Sequence, residues 1–390
     1  MADYSSFFDR QWPLSQQADL YAPRENPTFR NPSFDGAESR VLIARLSPFS
    51  DVDRSTPHLF LFDAVRRAVP QAYVDLAFFP PHHDRERLEG AGMPLLTGLQ
   101  SARSSEDFDL VLVSNAYTLE LVNLPVLLLR SGIPPLASRR GEEWPPLILG
   151  GSNALASQAV VAEDGDSLVD AIFFGEGEGQ VSALVRALHR RAEEPKGARL
   201  AHAARETTGL WVTGRWPQEP VEKATLPSPE AAHLPINYPL LNGPEAGTAR
   251  LQITYGCPAF CSFCFEGYDR KPYREVAQAD VLEVARQLKW IQGCDTLSLY
   301  SFNFNTHREI LPLLLELNRL FDRVRFTSQR VDLLQKTPGL LEAEVAADKR
   351  SFTLGIEGIS SRLRAWLHKS LDAEEIVGLL DRLLREKIRS

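Results

Sequence analysis

The sequence predicts an α/β protein built from two successive βα series, a doubly wound parallel sheet followed by a partial (β/α) barrel of about four units. Three observations carry this. Short apolar runs of strand length alternate with segments of helical period in both halves of the chain, the pattern of parallel strands covered by helices on both faces. A stretch punctuated by Pro217, Pro220, Pro227, Pro229, Pro235, Pro239 and Pro244 separates the two series. Only 126 residues follow Cys264 (390 − 264), whereas a complete barrel of this kind takes about 200–250.

The elements follow in order. Residues 1–40 are rich in Pro, Asn, Ser and aromatics without periodicity. They read either as an arm packed across a domain through Phe7, Phe8, Trp12 and Tyr21 or as a disordered tail. The first domain, 41–195, opens with the strand VLIARL (41–46) and a helix over 57–69, then the strand YVDLAFF (73–79). DLVLVS (109–114) is a third strand, and LELVNLPVLLLRSG is a helix stopped at Gly132. PLILGG (146–151) is a fourth strand, and residues 170–192 give a fifth strand, a Gly-rich turn and an amphipathic helix. Residues 196–246 read as a hairpin at WVTGRW and an extended connector. The second domain, 247–390, has strands at RLQITYG (250–256), TLSLYSF (296–302), VRFTSQR (324–330) and SFTLGIEG (351–358). Helices at AQADVLEVARQLKWIQG, EILPLLLELNRLF and PGLLEAEVAADK separate these strands, and the remainder is helical to Ser390.

Composition narrows the function. With 44% hydrophobic and 24% charged residues the chain is an ordinary globular protein, and a net charge of −8 gives no indication of nucleic acid or an anionic membrane. No run approaches the roughly 18 apolar residues of a membrane span, and the N-terminus lacks the cationic and apolar regions of a secretory signal. The expected location is cytoplasmic.

Four cysteines occur, and Cys257, Cys261 and Cys264 fall in one CxxxCxxC run. In a cytoplasmic chain, clustered thiols point to metal or redox chemistry rather than disulfides. Structural zinc usually takes four ligands in two separated pairs; there is no second pair here, and neither His233 nor His307 stands at a convincing distance. Three thiolates on one loop can instead ligate three irons of a cubane and leave the fourth open. The loop TYGCPAFCSFCFEG follows a strand and precedes a helix, where α/β folds place active sites. A zinc site or a redox thiol remains the alternative. Cys294, between a helix-ending Gly and a strand, reads as a small buried hydrophobe.

The CxxxCxxC run, with the aromatic Phe263 before its third cysteine, resembles the signature of the radical-SAM superfamily. The resemblance implies a 4Fe–4S cluster on Cys257, Cys261 and Cys264, with its open iron bound by the amino and carboxylate groups of S-adenosylmethionine. One electron then cleaves the C5′–S bond to give methionine and a 5′-deoxyadenosyl radical. It also implies that polar residues at later strand ends hold S-adenosylmethionine, here Ser301, Asn303, Ser328, Arg330 and Glu357, besides Phe263. A carboxylate such as Glu357 accepts hydrogen bonds from ribose hydroxyls, and an amide or serine fixes the aminoacyl end; singly, each is equally a solvated strand-end residue.

Residues 41–195 resemble the cobalamin-binding domain that several radical-SAM families carry. The matching turns hold Ser114 and Asn115 after the third strand, Gly150 and Gly151 after the fourth, and Gly175, Glu176 and Gly177 after the fifth. Glycines allow close backbone approach, and turns opening a helix offer free N–H donors. The loop SPFSDVDRSTPH lacks the DxHxxG histidine of mutases and methionine synthase, a ligand that radical-SAM cobalamin enzymes commonly lack too. In segment order the chain is closest to a group of uncharacterised function within the superfamily. The runs it shares with that group are GIPP…RRGE…PLIxGG, the GEGE turn, YRE, LxLYSFN and GIEGISSRLR.

The resemblance implies hydrogen abstraction, with cobalamin-dependent methyl transfer to carbon as one branch. A rearrangement, cyclisation or methylthiolation without cobalamin is the second, and a binding or assembly protein with a structural cluster the third. Implied partners are a small-molecule or peptide substrate and an electron donor such as flavodoxin or ferredoxin. The incomplete barrel adds the expectation of a truncated chain or of a partner subunit or second protomer that completes it.

Overall fold

The computed structural model describes residues 4–10, 30–239, 245, 247–326, 328–347, 349, 351–369 and 371–385. Trp12, Tyr21 and the Phe8 side chain of the expected arm lie outside these. The chain divides into two compact units, Met1–Leu226 with Asn237–Ala246, and Pro227–Ile236 with Gly247–Ser390.

In the first unit, α1 (Ser5–Arg10) lays Phe7 against the hydrophobic core, beside Tyr4. Then follow β1 (Ser39–Arg45), α2 (Phe49–Val52), α3 (Pro57–Ala68), β2 (Ala72–Phe78), α4 (His82–Gly90) and β3 (Leu110–Ser114). After them come α5 (Asn123–Arg130), β4 (Leu147–Gly150), β5 (Ala171–Phe173), α6 (Gln180–His189), α7 (Lys196–Glu206) and β6 (Leu210–Val212). The sheet order is β2–β1–β3–β4–β5–β6, with β1 to β5 parallel and β6 antiparallel to β5. Every residue of β2 and β3 is buried, which requires cover on both faces. Val41 stands opposite both Val74 and Leu110, so an apolar row runs across β2, β1 and β3. The order reverses between β1 and β3, the switch point where open α/β sheets leave a crevice at the carboxyl ends of their strands.

The 196–246 stretch departs from the expected hairpin and connector. Its first part is α7, which packs on α6, and Trp211 belongs to β6, a sixth strand of the main sheet. Leu200 and Ala203 supply the buried face of α7; this short amphipathic stripe is hidden in a Lys/Arg/Ala-rich segment.

The second unit holds β7 (Thr248–Gln252), β8 (Thr254–Tyr255), α8 (Phe265–Asp269), β9 (Arg274–Glu275), α9 (Gln278–Gln292), β10 (Thr296–Tyr300) and α10 (Ile310–Leu320). It continues with β11 (Arg323–Arg325), β12 (Ser328–Gln329), α11 (Val331–Lys336), α12 (Leu340–Ala346), β13 (Thr353–Leu354), α13 (Ser361–Trp366) and α14 (Ala373–Arg385). Strands β7, β10 and β11 form a parallel sheet with β10 central, β12 pairs in parallel with β13, and β8 pairs antiparallel with β9. Among the described residues the strands do not close into a barrel.

Three single strands expected from sequence are shorter or divided here. RLQITYG splits into β7 and β8, because β8 leaves the sheet to pair with the YRE segment. VRFTSQR splits into β11 and β12, and SFTLGIEG contributes only β13. The short helices α8 and α11 were not expected in this unit; α11 precedes α12, and Pro338 between them, which has no N–H for the i−4 carbonyl, ends the first. In α9 and α10 the periodicity is borne out. Val281, Val284, Ala285 and Leu288 face the core from one, and Ile310, Leu313, Leu314 and Leu317 from the other. No helix among the described residues is long and apolar enough to cross a membrane.

Candidate functional site

The cysteine loop begins where β8 ends. Gly256 has φ +72°, and a Cβ there would lie 2.0 Å from the Arg270 carbonyl oxygen, so only glycine lets the chain turn at this point. Cys257 and Cys261, at 8% and 9% exposure, are buried, and Cys264 is half-buried. All four cysteines are free thiols. Cys264 caps α8, its Sγ accepting the Gly267 N–H at 3.3 Å. Lys271 Nζ donates to the carbonyls of Cys257 (2.7 Å) and Ala259 (3.2 Å) and stands 3.6 Å from the centre of the Phe260 ring. From downstream, Ser262 donates its N–H to the Leu367 carbonyl at 3.2 Å and its Oγ to that of Trp366 at 3.3 Å, while the His368 Nδ1 lies 2.8 Å from the Phe260 carbonyl.

The predicted strand-end residues divide. Asn303 Nδ2 donates to the Cys257 Sγ at 3.5 Å. Its backbone is fixed by Ser301 Oγ, which accepts the Asn303 N–H at 3.2 Å and shares a 2.6 Å hydrogen bond with Thr254 Oγ1. Thr306 Oγ1 donates to the Asn303 carbonyl at 2.6 Å, and the Tyr273 hydroxyl donates to Glu275 at 2.9 Å and lies 3.2 Å from Thr306 Oγ1. Sequence reasoning missed Tyr273 and Thr306. The quoted YRE run contained Tyr273, but nothing in the run tied it to Asn303. Burial first raises the Tyr273 hydroxyl above its ordinary value, against the Thr306 hydrogen bond, so it stays protonated and able to donate.

Arg330 pairs with Asp332 through two contacts of 3.0 and 3.1 Å, and Asn305 brackets its backbone by accepting its N–H at 3.0 Å and donating to its carbonyl at 2.9 Å. Glu357 takes φ +67° and stands 3.5 Å from Lys369 Nζ. Burial pushes the Cys261 thiol up; Lys369 opposes this, Cys257 adds to it, Arg330 opposes it and Cys264 adds again. Asn303 thus touches a cysteine sulfur directly, while Arg330 and Lys369 act on Cys261 only through their charge. Ser328 does not join them: it opens β12 instead of ending a strand, and it is exposed, as is Phe263. Cys294 is buried and apart from the loop, its Sγ 3.6 Å from the Gln292 carbonyl.

Among the described residues no three His, Cys, Asp or Glu side chains gather as a set able to hold a metal ion. A single ion draws its thiolates together, whereas a cubane takes one thiolate per iron corner. The donor set fits the cubane: three free thiols on one loop, two of them already accepting N–H donors, the kind of hydrogen bond that tunes cluster thiolates.

In the first unit the β1/β3 crevice is lined from within. Glu120 lies 3.8 Å from the buried Arg45, whose pKa burial lowers against the pull of Glu120. Its carboxylate accepts from Ser47 Oγ (2.6 Å), the Ala116 N–H (2.6 Å) and Asn115 Nδ2 (3.3 Å). Asn115 is fully buried, and a Cβ on Gly151 would lie 2.1 Å from its carbonyl. Gly150 closes β4, packed along Phe173. The turn after β5 is equally committed. A Cβ on Gly175 would lie 2.1 Å from the Ala224 carbonyl, Glu176 accepts the Leu226 N–H at 2.6 Å, and Gly177 lies under Phe60. Ser114 Oγ is buried without a hydrogen-bond partner, and exposed Tyr117, Leu119 and Leu155 follow β3 and β4. The turns after β3 and β4 thus leave the Ser114 hydroxyl unpartnered, while Gly175, Glu176 and Gly177 pack against Ala224, Leu226 and Phe60. His58, in the first turn of α3, is buried edge-on against Phe49 and Phe78.

Comparison with known proteins agrees with this geometry. The family model for radical SAM proteins, N-terminal, matches residues 60–213, and that for the radical SAM superfamily matches 251–390. No curated protein matches the chain. Among solved structures, the chain is similar to the radical S-adenosylmethionine methyltransferase TsrM from Kitasatospora setae, solved with tryptophan substrate and a SAM analogue (aza-SAM) bound. Identity is 16% and TM-score 0.55, over 89% of this chain and 66% of that one. The same enzyme solved with cobalamin and a [4Fe–4S] cluster matches at 15% identity and TM-score 0.54, over 89% of this chain and 65% of that one. The chain therefore spans just under two thirds of the length of these relatives, and at such identity the likeness is one of fold. With the two family models covering most of its length and the three-thiol loop at the head of its second unit, the chain belongs to the radical SAM superfamily.

Proposed function

We propose that this chain is a radical S-adenosylmethionine enzyme whose 4Fe–4S cluster is held by Cys257, Cys261 and Cys264. The observation that carries the reading is the loop itself, three free thiols of which Cys257 and Cys264 already accept N–H donors. Held there, the cluster would supply the one electron that splits S-adenosylmethionine at its C5′–S bond into methionine and a 5′-deoxyadenosyl radical, which would take hydrogen from the substrate. Asn303 donates to the Cys257 sulfur, drawing charge from it. Arg330 and Lys369 counter the negative charge that the thiolates bring to a buried loop. Glu357 accepts from the ribose hydroxyls, and Ser301 holds Asn303 in place. The electron comes from a donor such as flavodoxin or ferredoxin, and the substrate is a small molecule or peptide met in the cytoplasm. Anaerobically reconstituted protein given dithionite and S-adenosylmethionine is expected to release 5′-deoxyadenosine; protein that carries the cluster yet releases none sinks the enzyme reading in favour of a structural cluster.

Methyl transfer carried by cobalamin is the branch favoured by the unpartnered Ser114 hydroxyl and the exposed Tyr117, Leu119 and Leu155 beside it. Ser114, Asn115, Gly150 and Gly151 are the residues that would lie along the corrinoid. Protein produced with hydroxocobalamin is expected to retain corrinoid absorbance after gel filtration. Its loss would leave the rearrangement, cyclisation or methylthiolation branch.

A further inference from the structure

Three non-glycine residues have positive φ among the described residues, and two of them, Glu357 (+67°) and His368 (+56°), lie eleven positions apart at the two ends of one tied segment. Such a conformation is costly for a residue with a side chain and persists only where the surroundings enforce it. Arg364 enforces it at the base. Only 2% exposed, it donates to the carbonyls of Gly358 (3.0 Å), Ile359 (2.7 Å) and Leu371 (2.7 Å). On one side the segment grips the cysteine loop between its ligands, through Trp366 and Leu367 to Ser262 and His368 to Phe260. On the other, Lys369 Nζ donates to the Gly355 carbonyl at 3.1 Å and stands 3.5 Å from the Glu357 carboxylate. The space this pair occupies exists because residue 355 is glycine: a Cβ there would lie 2.9 Å from both Glu357 Oε1 and Lys369 Nζ.

We propose that Trp366–Lys369 is a positioning strap, in which His368 sets the cysteine loop and Lys369 sets the Glu357 carboxylate, so that S-adenosylmethionine binding at the cluster depends on Lys369 acting through Glu357. The proposal rests on the reading of Cys257, Cys261 and Cys264 as cluster ligands.

The test uses the anaerobically reconstituted full chain, its iron content, and the electron paramagnetic resonance spectrum of the reduced cluster titrated with S-adenosylmethionine. Lys369→Met is expected to hold wild-type iron and to need about tenfold more S-adenosylmethionine for half the spectral change. Lys369→Arg is expected to recover much of that affinity. Lys369→Met combined with Glu357→Gln is expected to bind no more weakly than Glu357→Gln alone, because the lysine acts through that carboxylate. Gly355→Ala, which leaves every charge in place but fills the pair's space, is expected to reproduce Lys369→Met and stands in for it should that variant fail to fold. A wild-type titration midpoint in Lys369→Met or Gly355→Ala, or additive losses in the double variant, would overturn the strap while leaving the cluster reading intact. A wild-type chain that takes up no iron, or whose spectrum ignores S-adenosylmethionine, overturns the reading beneath the strap and the strap with it.

Discussion

The two units treat the polar groups at the carboxyl ends of their parallel strands in opposite ways. In the first, Glu120 is saturated by Arg45, Ser47, Asn115 and Ala116, Glu176 is taken by the Leu226 N–H, and backbone closes over Gly151 and Gly175. In the second, Asn303 spends its amide on a thiol, and Lys369, next to the His368 that meets the Phe260 carbonyl, stands 3.5 Å from Glu357. The same sequence pattern, a glycine or polar residue after an apolar run, therefore has two physical causes. In the first unit it mostly seals the end of a sheet, with the Ser114 hydroxyl left unpartnered; in the second it furnishes the cysteine site. The GIPP…RRGE run belongs with the first cause. Its Arg140 is buried, donates to the Pro134 and Pro135 carbonyls at 2.9 Å, and lies 3.4 Å from Asp170, which Lys196 also approaches at 3.6 Å.

The largest effect should come from the loop. Cys261→Ala is expected to abolish 5′-deoxyadenosine release while leaving the urea midpoint of the first unit unchanged, because that unit holds none of the ligands. Glu120→Ala sharpens the contrast from the other side. It strips the buried Arg45 of its partner and should cost about 3–5 kcal/mol of stability, read as a lower urea midpoint, with iron content unaltered. Loss of iron there would show that the first unit's strand ends also serve the site.

A smaller effect lies inside the second unit, where Glu344 and Lys349 pair at 3.2 Å with Lys349 Nζ over the Phe326 ring. Burial raises Glu344 from 4.5 to about 7 and lowers Lys349 from 10.5 to about 8. A carboxyl that binds its proton more tightly when folded gives stability that is full below about 4.5 and lost as pH rises through about 7. An amine that binds its proton less tightly when folded gives stability that is full above about 10.5 and lost as pH falls through about 8. Relative to Glu344→Gln/Lys349→Met, the wild type is therefore expected to be least stable between pH about 7 and 8, by about 1–3 kcal/mol; a pH-independent difference would contradict the burial of the pair. The smallest effect is Asn303→Leu, which should shift the cluster to a more negative potential with little change in urea midpoint. An unchanged potential would remove Asn303 from the site.

How far the sequence reached follows the same division. The buried strands of the first sheet were legible because an all-apolar run such as DLVLVS allows few other fates, and the three thiols because their spacing is rare. β6 and α7 were hidden, since an edge strand of three residues and a short amphipathic stripe carry little periodic signal. Asn303 was visible as a strand-end amide, yet its partner was not, because Cys257 lies 46 positions away. Lys369 and His368 left no mark at all: their role comes from a turn in which two residues hold positive φ without glycine.

The central claim is that a cluster sits on Cys257, Cys261 and Cys264 and not on the remaining thiol. Iron and sulfide counts on anaerobically reconstituted protein test it most directly. The account predicts about four irons per chain in the wild type and in Cys294→Ala, and none in the variant with alanine at 257, 261 and 264. Iron retained by that triple variant, or lost from Cys294→Ala, would contradict it.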